Sequence, residues 1–305
     1  MASASEIKGR INSVLETKKV TDAMYMISSV KMRKAIRDLT GTEKYFEALQ
    51  DQIGDMLRYM PESENRFFRV PPPVEGEHQC HGIVLVTSDK GLAGSYNQTA
   101  IREAEAYMHR HPTTRLFIVG EYGRQYFASR RIPFVEEFHY SAAFPSVTEA
   151  QGMAEELLEW YGKDLVDDIN LIYTDYHGTR PSECKRKVLL PLNRSHFEER
   201  AQGEPLAFPP EFYPDFDTVL SGTVPRYLTG FIYASLVDSF CSEQQARMNA
   251  MSTAGKNAED MLKRLKMEYN SVRQAAITRE MIEISAGAKA LKAKRQKQSE
   301  ENGNG

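Results

Sequence analysis

The sequence predicts an α/β fold plus a coiled coil. A domain of alternating strands and helices is inserted between two long terminal helices that pair antiparallel. Three observations predict it. Two stretches, about 6–58 and about 221–294, hold no helix breaker except Pro225. Apolar residues recur along both at steps of three and four. Between them, short apolar runs bounded by loops alternate with amphipathic segments.

The first segment, 1–60, reads as the N-terminal coiled-coil helix. Ile7, Ile11 and Val14 begin its stripe, and Val20, Met24 and Ile27 continue it at a shifted phase after the polar "ETKK". Its outer charges are lopsided. Lys8, Arg10, Lys18, Lys19, Lys31, Arg33, Lys34 and Arg37 face only Glu6, Glu16 and Asp22. Pro61 ends the helix, and "FRVPPPVEGEH" makes 61–80 an extended linker.

Residues 81–192 change pattern. "HGIVLVTSD" is a buried strand, "SYNQTAIREAEAYMHRH" a helix, "RLFIVG" a strand and "EYGRQYFASR" a helix. "IPFVEEFHY" follows as a strand and "SVTEAQGMAEELLEWYG" as a helix. "INLIYTDY" and "KRKVLLPL" then form a strand pair close enough for a hairpin. This alternation implies a mostly parallel sheet with crossover helices, a Rossmann-like arrangement. Residues 193–220 hold four prolines and read as an irregular surface segment.

The last helix is expected over 221–294, with a disordered polar tail at 295–305. About 70 residues at ~1.5 Å each give a rod of about 100 Å, so its stripe must face another helix. Met248, Met251, Gly255, Ala258, Leu262, Leu265, Tyr269, Val272 and Ala276 keep one seam. Ile277, Met281, Ile284, Ala288 and Leu291 keep a second, one residue out of phase. Arg273, Gln274 and Thr278 stand at the join. Side chains at such a break are expected to point toward another protein.

The formal net charge is −3, which supplies no global attraction to nucleic acid or to an anionic membrane. The longest apolar runs fall far short of a membrane span. Cys80, Cys184 and Cys241 are far apart and form no CxxC pair, as expected of reduced thiols. The seven histidines show no metal-ligand spacing, and no nucleophile elbow is present. "VTSDKGLAGSYN" raises the idea of a phosphate at a helix N-terminus, but it lacks either glycine-rich phosphate motif. Its residues favour a tight strand-to-helix loop. No catalytic, cofactor or metal site is expected.

Three stretches together resemble a known family. They are "IKGRINSVLETKKVTDAMYMISSVKMRKA", "VTSDKGLAGSYN" and "PRYLTGFIYASLVDSFCSEQQARMNAMSTAGKNAEDML" through "YNSVRQAAITREMIEISAGAKAL". The chain is similar over nearly its full length to the gamma subunit, the central rotor stalk, of F-type ATP synthase. The resemblance implies a non-catalytic axle whose tip sits inside a hexamer of alpha and beta subunits. It also implies an epsilon-type subunit and a membrane c-ring as partners. The place implied is the cytoplasmic face of a bacterial plasma membrane, without direct insertion. Met24, Arg247, Gln274 and Thr278 match the family's coupling positions, and Lys18, Lys31 and Arg33 belong to the basic arm facing an acidic partner. Two other classes remain open: a phosphate-binding α/β enzyme with a helical dimerisation arm, and a divergent scaffold that keeps the stalk fold without assembling.

Overall fold

The computed structural model describes residues 3–59, 65–68, 79–178, 180–200 and 211–301. Most of the expected linker 61–80 and part of the expected irregular segment lie outside them. The elements are α1 (Ala4–Tyr59), β1 (His81–Val86), α2 (Tyr96–Arg110), β2 (Thr114–Val119), α3 (Glu121–Ser129) and β3 (His139–Tyr140). They continue with α4 (Val147–Gly162), β4 (Asp168–Asp175), β5 (Glu183–Leu190), α5 (Arg194–Arg200) and α6 (Phe216–Glu301). The chain divides into two compact units, residues 25–250 and residues 1–24 with 251–305.

The larger unit is built on a five-stranded sheet of order β3-β2-β1-β4-β5. β1 pairs in parallel with both β2 and β4, and only β5 runs antiparallel. All six residues of β1 are buried, which is why "HGIVLV" reads as one apolar run. Alternation sends its side chains to two cores. Ile83 and Leu85 join Leu116, Ile118 and Phe127 beside Ala100 and Ile101 of α2. Val84 and Val86 join Phe117, Val119, Met153 of α4, Ile53 of α1 and Leu236 of α6. β5 is an edge strand whose exposed Arg186 and Lys187 discourage further pairing. At Gly230 of α6, the Phe46 ring of α1 stands 2.0 Å from where a Cβ would be, so only glycine fits there.

Several boundaries differ from expectation, each for a local reason. The strand expected over 132–140 narrows to two residues, because β3 meets β2 only at Ile118–His139 and Val119–Tyr140. The segment 193–220 contains α5, anchored by Phe197, which is 1% exposed and packs edge-on against Phe68 and Tyr227. α6 starts five residues early, at Phe216. Asp215 caps it, accepting from Thr218 N at 2.8 Å and from Thr218 Oγ1 at 2.8 Å. Pro225 therefore lies inside the helix. The helix also runs through 295–301, where a disordered tail was expected.

In the smaller unit, α1 and α6 run antiparallel. Lys18 Nζ lies 3.8 Å from Glu259 Oε2, and Gly255 faces Thr21 and Asp22. Four residues back along α1 correspond to four forward along α6, so Ala4 falls opposite Arg273. Val272 is partly buried, and every residue from Arg273 to Leu291 is exposed. The break in the seam therefore marks the end of the partner helix. A second correction concerns α1. Its inward stripe does not shift phase, but passes through Ile7, Ile11, Val14, Lys18, Thr21, Met24 and Ser28, while Val20 and Ile27 are more than half exposed.

A Cβ on Gly255 would meet Asp22 Oδ1 at 3.5 Å and Thr21 Oγ1 at 3.6 Å, ordinary contact distances. Gly255→Ala is therefore expected to stabilise this helix pair by about 1 kcal/mol through helix propensity. Thermal unfolding checks it; a lowered midpoint would mean the seam cannot take the methyl.

Candidate coupling interface

The loop after β1 is held by its own residues. Thr87 Oγ1 donates to Val119 O at 2.9 Å and accepts from Gly123 N at 3.0 Å. Ser88 N donates to Asn97 Oδ1 at 2.9 Å, and Ser88 Oγ donates to Lys90 O at 2.8 Å. Asp89 Oδ1 accepts from Glu121 N at 3.1 Å and Ala142 N at 3.2 Å, while its Oδ2 accepts from Ser141 Oγ at 2.6 Å. Gly120, at φ 90°, packs so closely that a Cβ would lie 2.3 Å from Thr87 O. This is the tight strand-to-helix turn the residues favoured. It also leaves Leu92 63% exposed at its tip.

Arg247 of α6 completes the loop. Its Nη2 donates to Lys90 O at 3.0 Å and Gly91 O at 3.1 Å, and its Nη1 lies 2.5 Å from Glu243 Oε1. Both partners are buried, Arg247 at 7% exposure and Glu243 at 5%. Burial pushes the Glu243 carboxyl up, Asp89 adds to the push, and Arg247 and Lys31 oppose it. The resemblance places Arg247 at a coupling position, against a beta subunit or between the two helices. Within the chain it is turned inward, clasping the loop to the helix.

The other expected positions are dispersed. Met24 is half-buried on the inward stripe of α1. Lys18 pairs with Glu259. Lys31 Nζ lies 5.1 Å above the ring of Phe144, itself 69% exposed. Arg33 is exposed. Gln274 and Thr278 are exposed on α6, where Thr278 Oγ1 donates to Gln274 O at 2.9 Å. Gln274 and Thr278 belong to the smaller unit and Arg247 to the larger one. Sequence reasoning missed Glu243, although its place four residues before Arg247 was a usable signal.

It also missed a carboxyl pair. Asp238 of α6 shares a hydrogen bond with Asp175 at the end of β4. Asp175 pairs with Lys185 Nζ and lies 3.6 Å from His177 Nε2. Burial, then the charge and hydrogen bond of Asp175, push Asp238 up to about 7. The three cysteines are free. Burial pushes the Cys184 thiol up to about 11 and Cys241 to about 12, so both stay protonated at neutral pH. Among the described residues, no cluster of histidine, cysteine or acid side chains could hold a metal.

The ATP synthase family model matches residues 3–291. The chain belongs to the ATP synthase gamma family. It is 35% identical over 289 residues to the ATP synthase gamma chain of Ruminiclostridium cellulolyticum, covering 94% of this chain and 98% of that one. It is 36% identical over 291 residues to that of Caldanaerobacter subterraneus, covering 93% and 98%. Among solved structures, a chain of the Euglena gracilis mitochondrial ATP synthase assembly of OSCP, F1 and c-ring superposes with a TM-score of 0.63. Identity there is 15%, with 96% of this chain and 95% of that one covered. A chain of the Tetrahymena thermophila central stalk and c-ring gives 0.57 at 21% identity, with 77% and 99% covered. At those identities the likeness speaks for the fold, and the bacterial relatives carry the family.

Proposed function

We propose that this chain is the central stalk, the rotor axle, of an F-type ATP synthase. It couples rotation of a membrane ring to conformational changes in a catalytic hexamer of alpha and beta subunits. One observation carries the reading beyond family membership. α6 runs from Gln274 to Glu301 past the start of α1, about 40 Å of helix at ~1.5 Å per residue. Ile277, Met281, Ile282, Ile284 and Leu291 stand 49–66% exposed along it. Apolar side chains in such a row need a socket that the described residues do not supply.

A lone helix also suits the task. It presents different side chains in different directions, so three equivalent subunits around it meet three different surfaces. Differential contact energy then favours a different conformation in each. Gln274 and Thr278 begin this free stretch and are the coupling positions of this reading. The basic residues Lys31 and Arg33 supply local attraction to an acidic partner loop. The remaining partners are an epsilon-type subunit and the c-ring, and the chain itself carries no catalytic residue. The bacterial relatives favour the cytoplasmic face of a plasma membrane. Among the described residues no helix is long and apolar enough to cross that membrane, so attachment is peripheral.

The test is to purify tagged full-length chain from its native membranes. Alpha and beta subunits are expected to co-purify with ATPase activity. A chain that comes down alone would leave the non-assembling scaffold as the reading. Within an assembled complex, Gln274→Ala with Thr278→Ala is expected to lower ATP-driven proton pumping severalfold more than ATP hydrolysis. Equal loss of both would remove the coupling role from these two residues.

A further inference from the structure

Four chain segments meet at the amino edge of the sheet. β1 begins there at His81, β4 at Asp168 and β2 at Thr114, and His111 closes α2 beside them. Hydrogen bonds fix the meeting. His111 N donates to Tyr107 O at 2.9 Å, Thr114 Oγ1 donates to His111 O at 2.5 Å, and His81 N donates to Thr113 O at 2.9 Å. Two imidazoles are thereby brought together, with ring centroids 4.4 Å apart. We propose that these two rings form an acid-sensitive latch: neutral His111 holds the end of α2 to the sheet, and a proton on His111 releases it.

The two rings have unlike surroundings. His81 is buried, and its Nδ1 lies 2.6 Å from Asp168 Oδ2. Asp168 Oδ1 accepts from Asn170 Nδ2 at 2.7 Å, so both oxygens of that carboxylate are engaged. His111 is half-buried and meets rings instead. It stacks on Tyr107 at 4.3 Å, 29° from parallel, and stands edge-on to His81.

Charge decides which state of His111 fits. His81 faces it from β1, Arg110 from α2 and Arg186 from β5, where the guanidinium also stands 4.9 Å above the Tyr107 ring. Asp168 of β4 acts the other way, with Asp167 beside it. Burial holds the His111 imidazole below its ordinary value of 6.5; His81, Arg110 and Arg186 push it the same way, and Asp168 opposes them. The end of a helix favours a cation by about 0.3–1 kcal/mol, but burial and these three neighbours outweigh that here. The Tyr107 hydroxyl is pushed up to about 12, chiefly by burial, and stays neutral throughout.

A value held down in the fold means that the unfolded chain takes the proton more readily. The latch is therefore whole above about pH 6.5 and is lost as pH falls through the folded value of His111. Asp168 runs the opposite way. Burial raises its carboxyl, His81 opposes the rise, and the stability it gives is present below 3.8 and lost as pH rises. A His111 variant keeps the Asp168 carboxyl, so comparison with it isolates His111. Release frees only one end of α2, because Asn97 in its first turn stays bonded to Ser88 N.

The latch shares no residue with the coupling positions, and its failure leaves the rotor reading intact. The experiment is hydrogen exchange read by mass spectrometry on the full-length chain, at about pH 7 and about pH 5.5, corrected for intrinsic exchange rates. Peptides covering residues 104–114 are expected to lose protection severalfold at the lower pH. Peptides from α4, which packs in the core on the other side of the sheet, are expected to hold. His111→Phe keeps a ring to stack on Tyr107 but cannot titrate, so its protection over 104–114 should not change with pH. Arg110 is exposed, and Arg110→Gln removes one of the cations facing His111, so the loss there should shrink. No loss in the wild type, an equal loss in His111→Phe, or an equal loss across α4 would overturn the proposal. So would an undiminished loss in Arg110→Gln.

Discussion

Arg247→Ala is expected to destabilise the α/β unit by about 3–5 kcal/mol, because it removes one partner of a buried ion pair. Glu243 would keep its desolvated carboxylate without the guanidinium 2.5 Å away. The carbonyls of Lys90 and Gly91 would lose their donor as well. The loss should depend on pH with a definite sign. Burial already raises the Glu243 carboxyl, and Arg247 is the largest force opposing that rise. Without Arg247 the carboxyl rises further, so acidification neutralises it and the deficit shrinks as pH falls. Adding Glu243→Gln should recover part of the loss at neutral pH, but not the part due to the two carbonyls. Urea unfolding of the single and double variants at two pH values measures this. A loss under about 1 kcal/mol, or simple additivity of the pair, would show that the clasp is not coupled. The point bears on function. A coupling defect in an Arg247 variant would have to be separated from loosening of the loop that Arg247 holds.

Much of this architecture was legible in the chain. "HGIVLV" announced a strand buried on both faces, and "SVTE" announced the start of α4, where Ser146 Oγ accepts from Glu149 N at 3.2 Å. The seam of α6 was right as far as Val272. What failed has physical causes. The inward turn of Arg247 was not legible, because a charge is costly to bury and a polarity count does not see that Glu243, four residues away, offsets part of that cost. The stripe of α1 was misread for a related reason. Geometry continues the inward face through Lys18, Thr21 and Ser28, whereas the eye follows the apolar Val20 and Ile27 outward. The phase break at Arg273 was read as a place where side chains point toward another protein, and it falls where α1 begins opposite, which no pattern within α6 could show. The Asp175–Asp238 pair joins residues 63 positions apart and carried no local signal.

Asp238→Asn is expected to change how stability depends on pH. The Asp238 carboxyl has an ordinary value of 3.8 and stands at about 7 in the fold. The folded protein thus holds a proton that the unfolded chain releases. Stability from this group is full below pH ~4 and falls as pH rises toward 7, by roughly 4 kcal/mol at about 1.4 kcal/mol per unit. The groups facing it give the reason. Asp175 stands on β4 with Lys185 and His177 beside it, and Glu43 of α1 adds a further negative charge. Of these only Lys185 favours the ionised form of Asp238. Asparagine keeps the shape and can donate to Asp175, yet has no proton to lose. The variant should therefore match the wild type below about pH 4 and exceed it in thermal midpoint near pH 8. Parallel midpoint curves across that range would mean the two carboxyls do not share a proton. The pair ties α6 to the last parallel strand, so its ionisation weakens the join between helix and sheet within this unit. Leu236 and Val237 of α6 stay packed in one core with Leu171 and Tyr173 of β4, so ionisation of the pair weakens that join without opening it.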